Sequence, residues 1–287
     1  MTATAPGTDD GPVDRRHHVS DYFRLERWEI PPPDGSGRPS GVGGRAPVDD
    51  HLRGPGGGLR TGALLTSIDS LGGLLSGLTV LPRWIVTTSL LATVSRLAHV
   101  GPLRLEGEVL RRGRNSVVST VDVVDEGEGG RHVAAATLTC AVLDAEGMEL
   151  AFDRPFALPT PPLQQGAPAP DEFFCIEPGE GATTRLVLAD RLRNPWGILH
   201  GGGVAMLADE AACRAARAAD PGAAGPRGVA AADTVLHYLR PVRVGPAEAR
   251  CEVLGTHGGR TLVRVAVHDL GAGDRLVSLG SVVVLAV

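Results

Sequence analysis

The chain has 287 residues, 43% of them hydrophobic, which is enough to bury one large core or two cores of ordinary domain size. A net charge of −5 argues against a nucleic-acid or anionic-membrane partner, and all 28 basic residues are arginine. The four cysteines lie far apart, with neither metal-ligand spacing nor the pattern of a disulfide framework, so we expect no metal.

Residues 1–20 are polar and contain glycine and proline, which predicts a disordered tail. This segment lacks the apolar stretch of a secretory signal, and no run of about 18 apolar residues occurs in the sequence. We therefore expect a cytoplasmic protein with no membrane partner.

The first half of the chain is predicted to span residues 21–156. A short strand is expected over 22–29, a flexible stretch over 31–47 and an apolar helix over 61–79, followed by strand-rich sequence. Residues 157–171 are rich in proline and glutamine without a periodic pattern, and are expected to form a linker.

The second half, residues 172–287, repeats this order. A short strand is expected over 173–177 and an apolar helix over 201–219. Segments with the alternating apolar pattern of half-buried strands follow over 229–240, 246–256, 260–269 and 275–287. One long helix wrapped by an antiparallel sheet in each half predicts an α+β fold.

The two halves share residues in one register. Between 96–133 and 240–277, at a constant shift of 144, fourteen of 38 positions are identical. Further upstream the shift becomes 140 and aligns Asp69 with Asp209. A shared bias toward glycine, valine and arginine does not explain one register kept over a long ungapped run, so the sequence predicts an internal duplication.

The most informative motif is the segment 194–209, Asn-Pro-Trp-Gly-Ile-Leu-His-Gly-Gly-Gly-Val-Ala-Met-Leu-Ala-Asp. The spacing of Asn194, the His200-Gly-Gly run and Asp209 resembles the signature of hotdog-fold thioesterases of the phenylacetate-degradation type. The resemblance covers most of the second half and reaches the first half through the repeat. It implies two fused hotdog domains that act on an acyl-CoA.

Glycines at a helix start let a ligand approach the backbone closely, although a glycine run alone also fits an ordinary flexible loop. The N–H groups of a first helical turn lack partners and lie at the positive end of the helix dipole. We therefore expect the Gly201 N–H, aided by Asn194, to stabilise a thioester carbonyl as it becomes an oxyanion. Asp209 and Asp69 both stand in apolar helical sequence, where a carboxylate is costly to bury without a partner or a purpose.

Gly201 and Asp209 are eight residues apart on one predicted helix, which separates them by about 12 Å. One thioester carbon cannot contact both, because catalytic contacts are about 3 Å long. The carboxylate that serves Gly201 must come from another copy of the domain. The resemblance implies the same, since in such thioesterases the oxyanion loop and the carboxylate come from different protomers. In a fused pair, the second copy is the other half of the chain.

Two arrangements follow, here called site one and site two. Site one joins Asn194, His200 and Gly201 with Asp69. The repeat also places Thr87 where the family often has a hydroxyl that positions water.

Site two joins Asp209 with the loop of the first half. There Gly54 replaces the asparagine, Arg60 and Thr61 replace His-Gly, and Ala231 replaces the hydroxyl. The family pattern alone would assign catalysis to Asp209. Because site one keeps every part, we predict that catalysis takes place there.

The leading hypothesis is hydrolysis of an acyl-CoA thioester with no redox cofactor, in which Asp69 is the general base for water or the nucleophile. The alternatives are a catalytically weak acyl-CoA-binding or sensing protein and a hotdog hydratase, for which no His–Asp pairing is found. The acyl group cannot be read from the sequence. The resemblance also implies a homo-oligomer, with two chains expected. The arginines of one strand region fit the phosphates of coenzyme A or a solvated strand face: Arg104, Arg111, Arg112 and Arg114.

Overall fold

The computed structural model describes residues 19–25, 27–30, 38–144, 166–194, 196–220 and 228–287. Most of the predicted tail at 1–20 and of the predicted linker at 157–171 lies outside these residues, so neither prediction is tested. The short insertion that follows the second long helix lies outside them as well.

Four helices form within the described residues. Two are single turns, α1 (Val19–Tyr22) and α3 (Pro170–Phe173), and two are long, α2 (Thr61–Leu78) and α4 (Gly201–Ala219). The long helices match the predicted ranges to within one residue. Both are buried along most of their length, because leucine and alanine dominate the sides that face the sheet and the other helix.

The described residues also form twelve strands, all joined in one antiparallel sheet that runs through both halves. In chain order these are β1 (Arg27–Glu29), β2 (Gly41–Ala46), β3 (Trp84–Val94), β4 (Leu103–Arg112), β5 (Ser116–Asp125), β6 (Arg131–Leu143), β7 (Ile176–Pro178), β8 (Thr184–Leu186), β9 (Val229–Tyr238), β10 (Ala247–His257), β11 (Arg260–Asp269) and β12 (Arg275–Ala286). Their order across the sheet is β1-β2-β4-β5-β6-β3-β9-β12-β11-β10-β8-β7.

The strand order is the same from either edge. Six strands come from each half, and β3 and β9 meet at the centre, where Ser89 pairs with His237 and Thr93 with Asp233. The long helices pack on the sheet and on each other. The start of each helix therefore reaches the middle of the helix from the other half.

The short strands predicted over 22–29 and 173–177 are partly wrong, because a helical turn occupies the start of each range. The cause is a cluster of aromatic rings from both halves. The rings of Tyr22 and Phe173 are stacked with their centroids 3.8 Å apart, and Phe23 and Phe174 pack beside them. A proline at position 170, at the start of α3, also favours a helical turn over a strand.

The flexible stretch predicted over 31–47 is wrong in its second part, which forms strand β2. Residues 31–37 lie outside the described residues. In β2 every second residue is buried, including Val42 and Ala46, and the strand pairs with β4. Three glycines in this strand hide the apolar alternation that would have identified it from the sequence.

Candidate active site

The first residues of α4 lie against the middle of α2. A Cβ atom added at Gly201 would lie 2.6 Å from Oδ2 of Asp69, and one added at Gly202 would collide with Thr66. Glycine is needed at both positions because no side chain fits between the helices. The structure therefore brings together Asp69 from the first half and the Gly201 backbone from the second, as site one requires.

Asp69 is buried and is bonded to the strand beneath it. The Thr87 hydroxyl donates a hydrogen bond of 2.9 Å to Asp69 Oδ1. Behind Thr87, the Cys140 thiol lies 4.0 Å from the hydroxyl oxygen. Burial raises the pKa of Cys140 to about 11, so the sulfur stays protonated and can donate to Thr87. These contacts fix one carboxylate oxygen and leave Oδ2 on the side of Gly201.

His200 is the N-cap of α4. Its Nδ1 accepts a hydrogen bond of 3.0 Å from the Gly202 N–H, so the proton of the neutral ring is on Nε2. Nδ1 also lies 3.7 Å from Asp69 Oδ2. Because both atoms are acceptors in this arrangement, the contact is not an ion pair. His200 orders the helix start and shapes the space beside the carboxylate.

The Gly201 N–H is the first donor of α4, and no acceptor for it is found within the described part of the chain. The Tyr238 hydroxyl donates a hydrogen bond of 3.2 Å to the Gly201 carbonyl and so fixes the Gly201–Gly202 peptide, the one that follows the N–H. Burial, reinforced by nearby Asp69, raises the pKa of Tyr238 well above its ordinary value, which keeps the hydroxyl protonated. The helix start around the Gly201 N–H is thus held by contacts on its C-terminal side.

Asn194 organises the loop before α4. Its Oδ1 accepts from the N–H groups of Trp196 at 3.0 Å and Ile198 at 3.4 Å. No hydrogen bond joins Asn194 to Asp69 in the described structure, so its direct action on a carbonyl stays a prediction. The loop carries Trp196 against Trp84 of β3, with ring centroids 5.0 Å apart in an edge-to-face contact.

The related contact in site two has a different character. Asp209 Oδ2 accepts a hydrogen bond of 2.9 Å from the Gly62 N–H, so this carboxylate caps the start of α2. Burial raises the pKa of Asp209 to about 6, although the bond from Gly62 opposes the shift. The first half has no histidine cap, because Arg60 stands at the position of His200. Asp209 supplies the missing acceptor.

In site two, the residues that replace His-Gly make contacts other than those of the motif. The Thr61 hydroxyl donates to the Ala231 carbonyl at 2.8 Å, and Arg60 lies 3.4 Å from a carboxylate oxygen of Glu210. A cavity of about 100 Å³ remains beside Asp209. Gly54, at the position of Asn194, lines this cavity together with Arg60 and Thr61.

Groups of three or more histidine, cysteine or acidic side chains that could hold a metal are not found among the described residues. Among the helices described, none has the length and apolar character needed to cross a membrane.

Comparison with known proteins finds a family match in the second half of the chain. Residues 197–274, which contain the start of α4 and Asp209, match the model of the thioesterase superfamily. No curated protein matches the chain in sequence.

Solved structures resemble nearly the whole chain. A protein named as an oleoyl thioesterase from Lactobacillus plantarum aligns with a TM-score of 0.60 at 10% identity, over 86% of this chain and 97% of its own. The tesB protein of Mycobacterium avium subspecies paratuberculosis gives a TM-score of 0.60 at 14% identity, over 93% and 97%. An acyl-ACP thioesterase from Bacteroides thetaiotaomicron gives 0.54 at 12% identity, over 85% and 97%. These likenesses show that the fold is the hotdog fold of thioesterases.

Three residues of site one were not singled out for it from the sequence: Tyr238, Cys140 and Trp84. Tyr238 ends strand β9, and its bond to the Gly201 carbonyl depends on how that strand packs against the start of α4. The register of β3 with β6 places Cys140 opposite Thr87. No local pattern in the sequence reveals such a register.

Proposed function

We propose that the chain hydrolyses an acyl-CoA thioester at site one. The observation that carries the proposal is the contact of Asp69 with Gly201, in which a buried carboxylate from one half adjoins the helix start of the other, where the Gly201 N–H has no acceptor among the described residues. The superfamily match supports thioester hydrolysis in general. The fused arrangement supports site one, because the parts come from different halves of a single chain.

In this proposal the thioester oxygen accepts a hydrogen bond from the Gly201 N–H. The positive end of α4 stabilises the negative charge that develops on this oxygen in the tetrahedral transition state. Tyr238 holds the peptide that follows the Gly201 N–H, and His200 occupies the competing Gly202 donor. The donor therefore needs little reorganisation when the charge develops.

Asp69 acts as the general base for water. The Thr87 hydroxyl donates to Asp69, so the lone pairs of its oxygen are available to accept a hydrogen bond from that water. The carboxylate takes one proton as the water oxygen attacks the thioester carbon, and the thiolate of coenzyme A leaves when the intermediate collapses. Direct attack by Asp69 is the competing route.

The sheet order supports a tandem of two hotdog units with approximate two-fold symmetry, the first over residues 21–156 and the second over 172–287. The phenylacetate-degradation type is proposed for the second unit on the spacing of Asn194, His200 and Asp209. The alternative is a catalytically weak protein that binds or senses acyl-CoA. It draws support from site two, which lacks the asparagine and the His-Gly pair of the motif.

The test compares Asp69→Asn with Asp209→Asn in steady-state hydrolysis of a panel of acyl-CoAs, followed by release of free thiol. Asp69→Asn should lower kcat by about 10²–10⁴-fold, as expected when a positioned acid–base group is removed. Its KM should change much less, because the loss falls on the transition state. Asp209→Asn is the matched control and should keep a near wild-type kcat.

Three outcomes would contradict the proposal. If Asp209→Asn is inactive and Asp69→Asn is active, the assignment of catalysis to site one is wrong. If neither substitution changes thiol release, neither carboxylate is the catalytic group and site one is wrong. If the wild type releases no thiol, acyl-CoA binding without hydrolysis becomes the better account of the fold.

A further inference from the structure

An arginine cluster stands at one tip of the sheet. The hairpin between β4 and β5 exposes Arg111, Arg112 and Arg114, and Arg83 donates a hydrogen bond of 2.9 Å to the Arg114 carbonyl. Within the described residues, none of these four guanidinium groups pairs with a carboxylate. Exposed Asp144, at the end of β6, offsets part of the charge. Counted over the described residues, the tip is basic in a chain whose net charge is −5.

Arg104, the remaining arginine of this strand region, is not part of the cluster. Arg104 lies near the opposite end of β4 and pairs with Glu106 and Glu126. If these arginines only made a strand face soluble, we would not expect the one that pairs with carboxylates to lie at one end of the strand and the unpaired ones at the other. The unpaired charge is concentrated at the end of the hairpin.

The cluster adjoins site one. Arg83 precedes Trp84, whose ring contacts Trp196 in the loop that leads to His200 and Gly201. Thr87, which is bonded to Asp69, follows Arg83 by four residues, or about 13 Å of extended strand. A pantetheine arm spans about 15 Å when extended, by the bond lengths of a peptide-like chain. A thioester held at Gly201 can thus place its nucleotide end at this tip.

The equivalent tip in the second half lacks the cluster. Positions that correspond to the three hairpin arginines hold Gly255, Thr256 and Gly258. The nearby Arg260 pairs with Asp233 at 3.3 Å. The unpaired arginines therefore occur on the side of site one, which is also the site that keeps every part of the motif.

We propose that Arg83, Arg111, Arg112 and Arg114 bind the phosphates of coenzyme A while the thioester lies in site one. Guanidinium groups suit this ligand because their paired N–H donors match phosphate oxygens and stay charged at every working pH. The proposal rests on the hydrolysis proposed for site one, and it adds coenzyme A as the group that carries the acyl chain. A free acyl-CoA, with phosphates at the far end of its arm, is the substrate that this tip selects.

The experiment uses the full chain with Arg111, Arg112 and Arg114 changed together to serine. Hydrolysis is measured for one acyl group, the one that the wild type cleaves best, carried on coenzyme A and on pantetheine, which lacks the phosphates. The variant should raise KM for the acyl-CoA by about tenfold, equivalent to the loss of one good charged contact, and leave kcat unchanged. KM for the acyl-pantetheine should stay within about twofold of the wild-type value.

The matched control changes Arg260 and Arg264 of the second hairpin to serine, and both KM values should then stay at wild-type levels. The Arg111, Arg112 and Arg114 side chains are exposed, so the thermal midpoint of the variant should not fall. Salt should raise the wild-type KM for the acyl-CoA and leave that for the acyl-pantetheine unchanged, because screening weakens only the phosphate contacts.

Calorimetry with adenosine 3′,5′-bisphosphate tests the arginines separately from hydrolysis. Binding to the triple variant should be about tenfold weaker than to the wild type. If the wild type cleaves no thioester, the hydrolysis proposal fails and this titration alone decides the arginine proposal. Equal binding by both proteins would overturn it. The proposal would also be overturned if the triple variant lost activity only toward an acyl group carried on an acyl-carrier protein, because the tip would then bind a protein.

Discussion

At the scale of single residues, the approach of Gly201 to Asp69 decides the geometry of site one. Gly201→Ala places a Cβ 2.6 Å from Asp69 Oδ2, so the carboxylate must move by about 0.8 Å to reach the 3.4 Å of ordinary contact. A shift of this size in a catalytic group costs about 10²-fold in rate, and we expect kcat to fall by that amount. Steady-state kinetics with an acyl-CoA checks the loss, and circular dichroism checks that α4 still forms.

Thr61→Ala provides the control, because Thr61 stands at the position of Gly201 in the other half. It removes only the hydroxyl that bonds to the Ala231 carbonyl. We expect kcat within about twofold of the wild type and a stability loss near 1 kcal/mol. A Gly201→Ala enzyme as active as this control would mean that the thioester does not lie between the helix start and Asp69.

At the scale of elements, the two long helices begin in different ways. His200 caps α4 from within its own half, whereas Asp209 caps α2 from the opposite half. With its ordinary pKa of 3.8 raised to about 6, Asp209 binds a proton more tightly in the folded state than in the unfolded state. Its contribution to stability is full below pH 4, declines as the pH rises toward 6, and is gone above that value.

Asp209→Asn removes this dependence and keeps an oxygen that accepts from the Gly62 N–H. We expect the variant to match the wild type near pH 4 and to exceed its free energy of unfolding by about 1–3 kcal/mol at pH 8. Chemical denaturation at pH 4, 6 and 8 measures the difference. A constant difference between the two proteins across this range would show that Asp209 does not titrate there.

The helices and strands also show how much of the fold could be predicted from the sequence. The long helices and the four long strands of the second half each carry a periodic apolar pattern, so their ranges were predictable, whereas the first half was predicted only to be rich in strands. The turns at Val19–Tyr22 and Pro170–Phe173 form because aromatic rings from both halves stack, a contact between distant segments. Strand β2 was missed because its glycines carry no side-chain pattern.

For site one, helix length and the internal repeat were enough to pair Asp69 with Gly201 and to place Thr87 nearby. The helix rise excludes a contact between Gly201 and Asp209, and the internal repeat identifies Asp69 as the alternative carboxylate. The capping roles of His200 and Asp209 were not predictable, since they depend on where each side chain settles at a helix start. The sequence likewise gave no sign of the cavity beside Asp209.

At the scale of the whole molecule, we expect two chains to associate. Apolar side chains are exposed on central strands of the sheet, with Leu91 on β3 41% exposed and Leu279 on β12 37% exposed. A second copy laid across this face would remove them from water. Light scattering at micromolar concentration should give about twice the chain mass of 29.7 kDa. A single-chain mass would contradict the expectation.

Because a carboxylate from the other half caps α2, the two helix starts of this chain can change independently by mutation. In a pair of identical chains every substitution is made twice, so a change that spoils one helix start spoils both. In this chain each half is encoded separately. Position 60 holds arginine while position 200 holds histidine, and the two helix starts are capped by different groups. With both proposed units in one chain, Asp209 can stabilise a helix start while Asp69 remains available for the proposed chemistry.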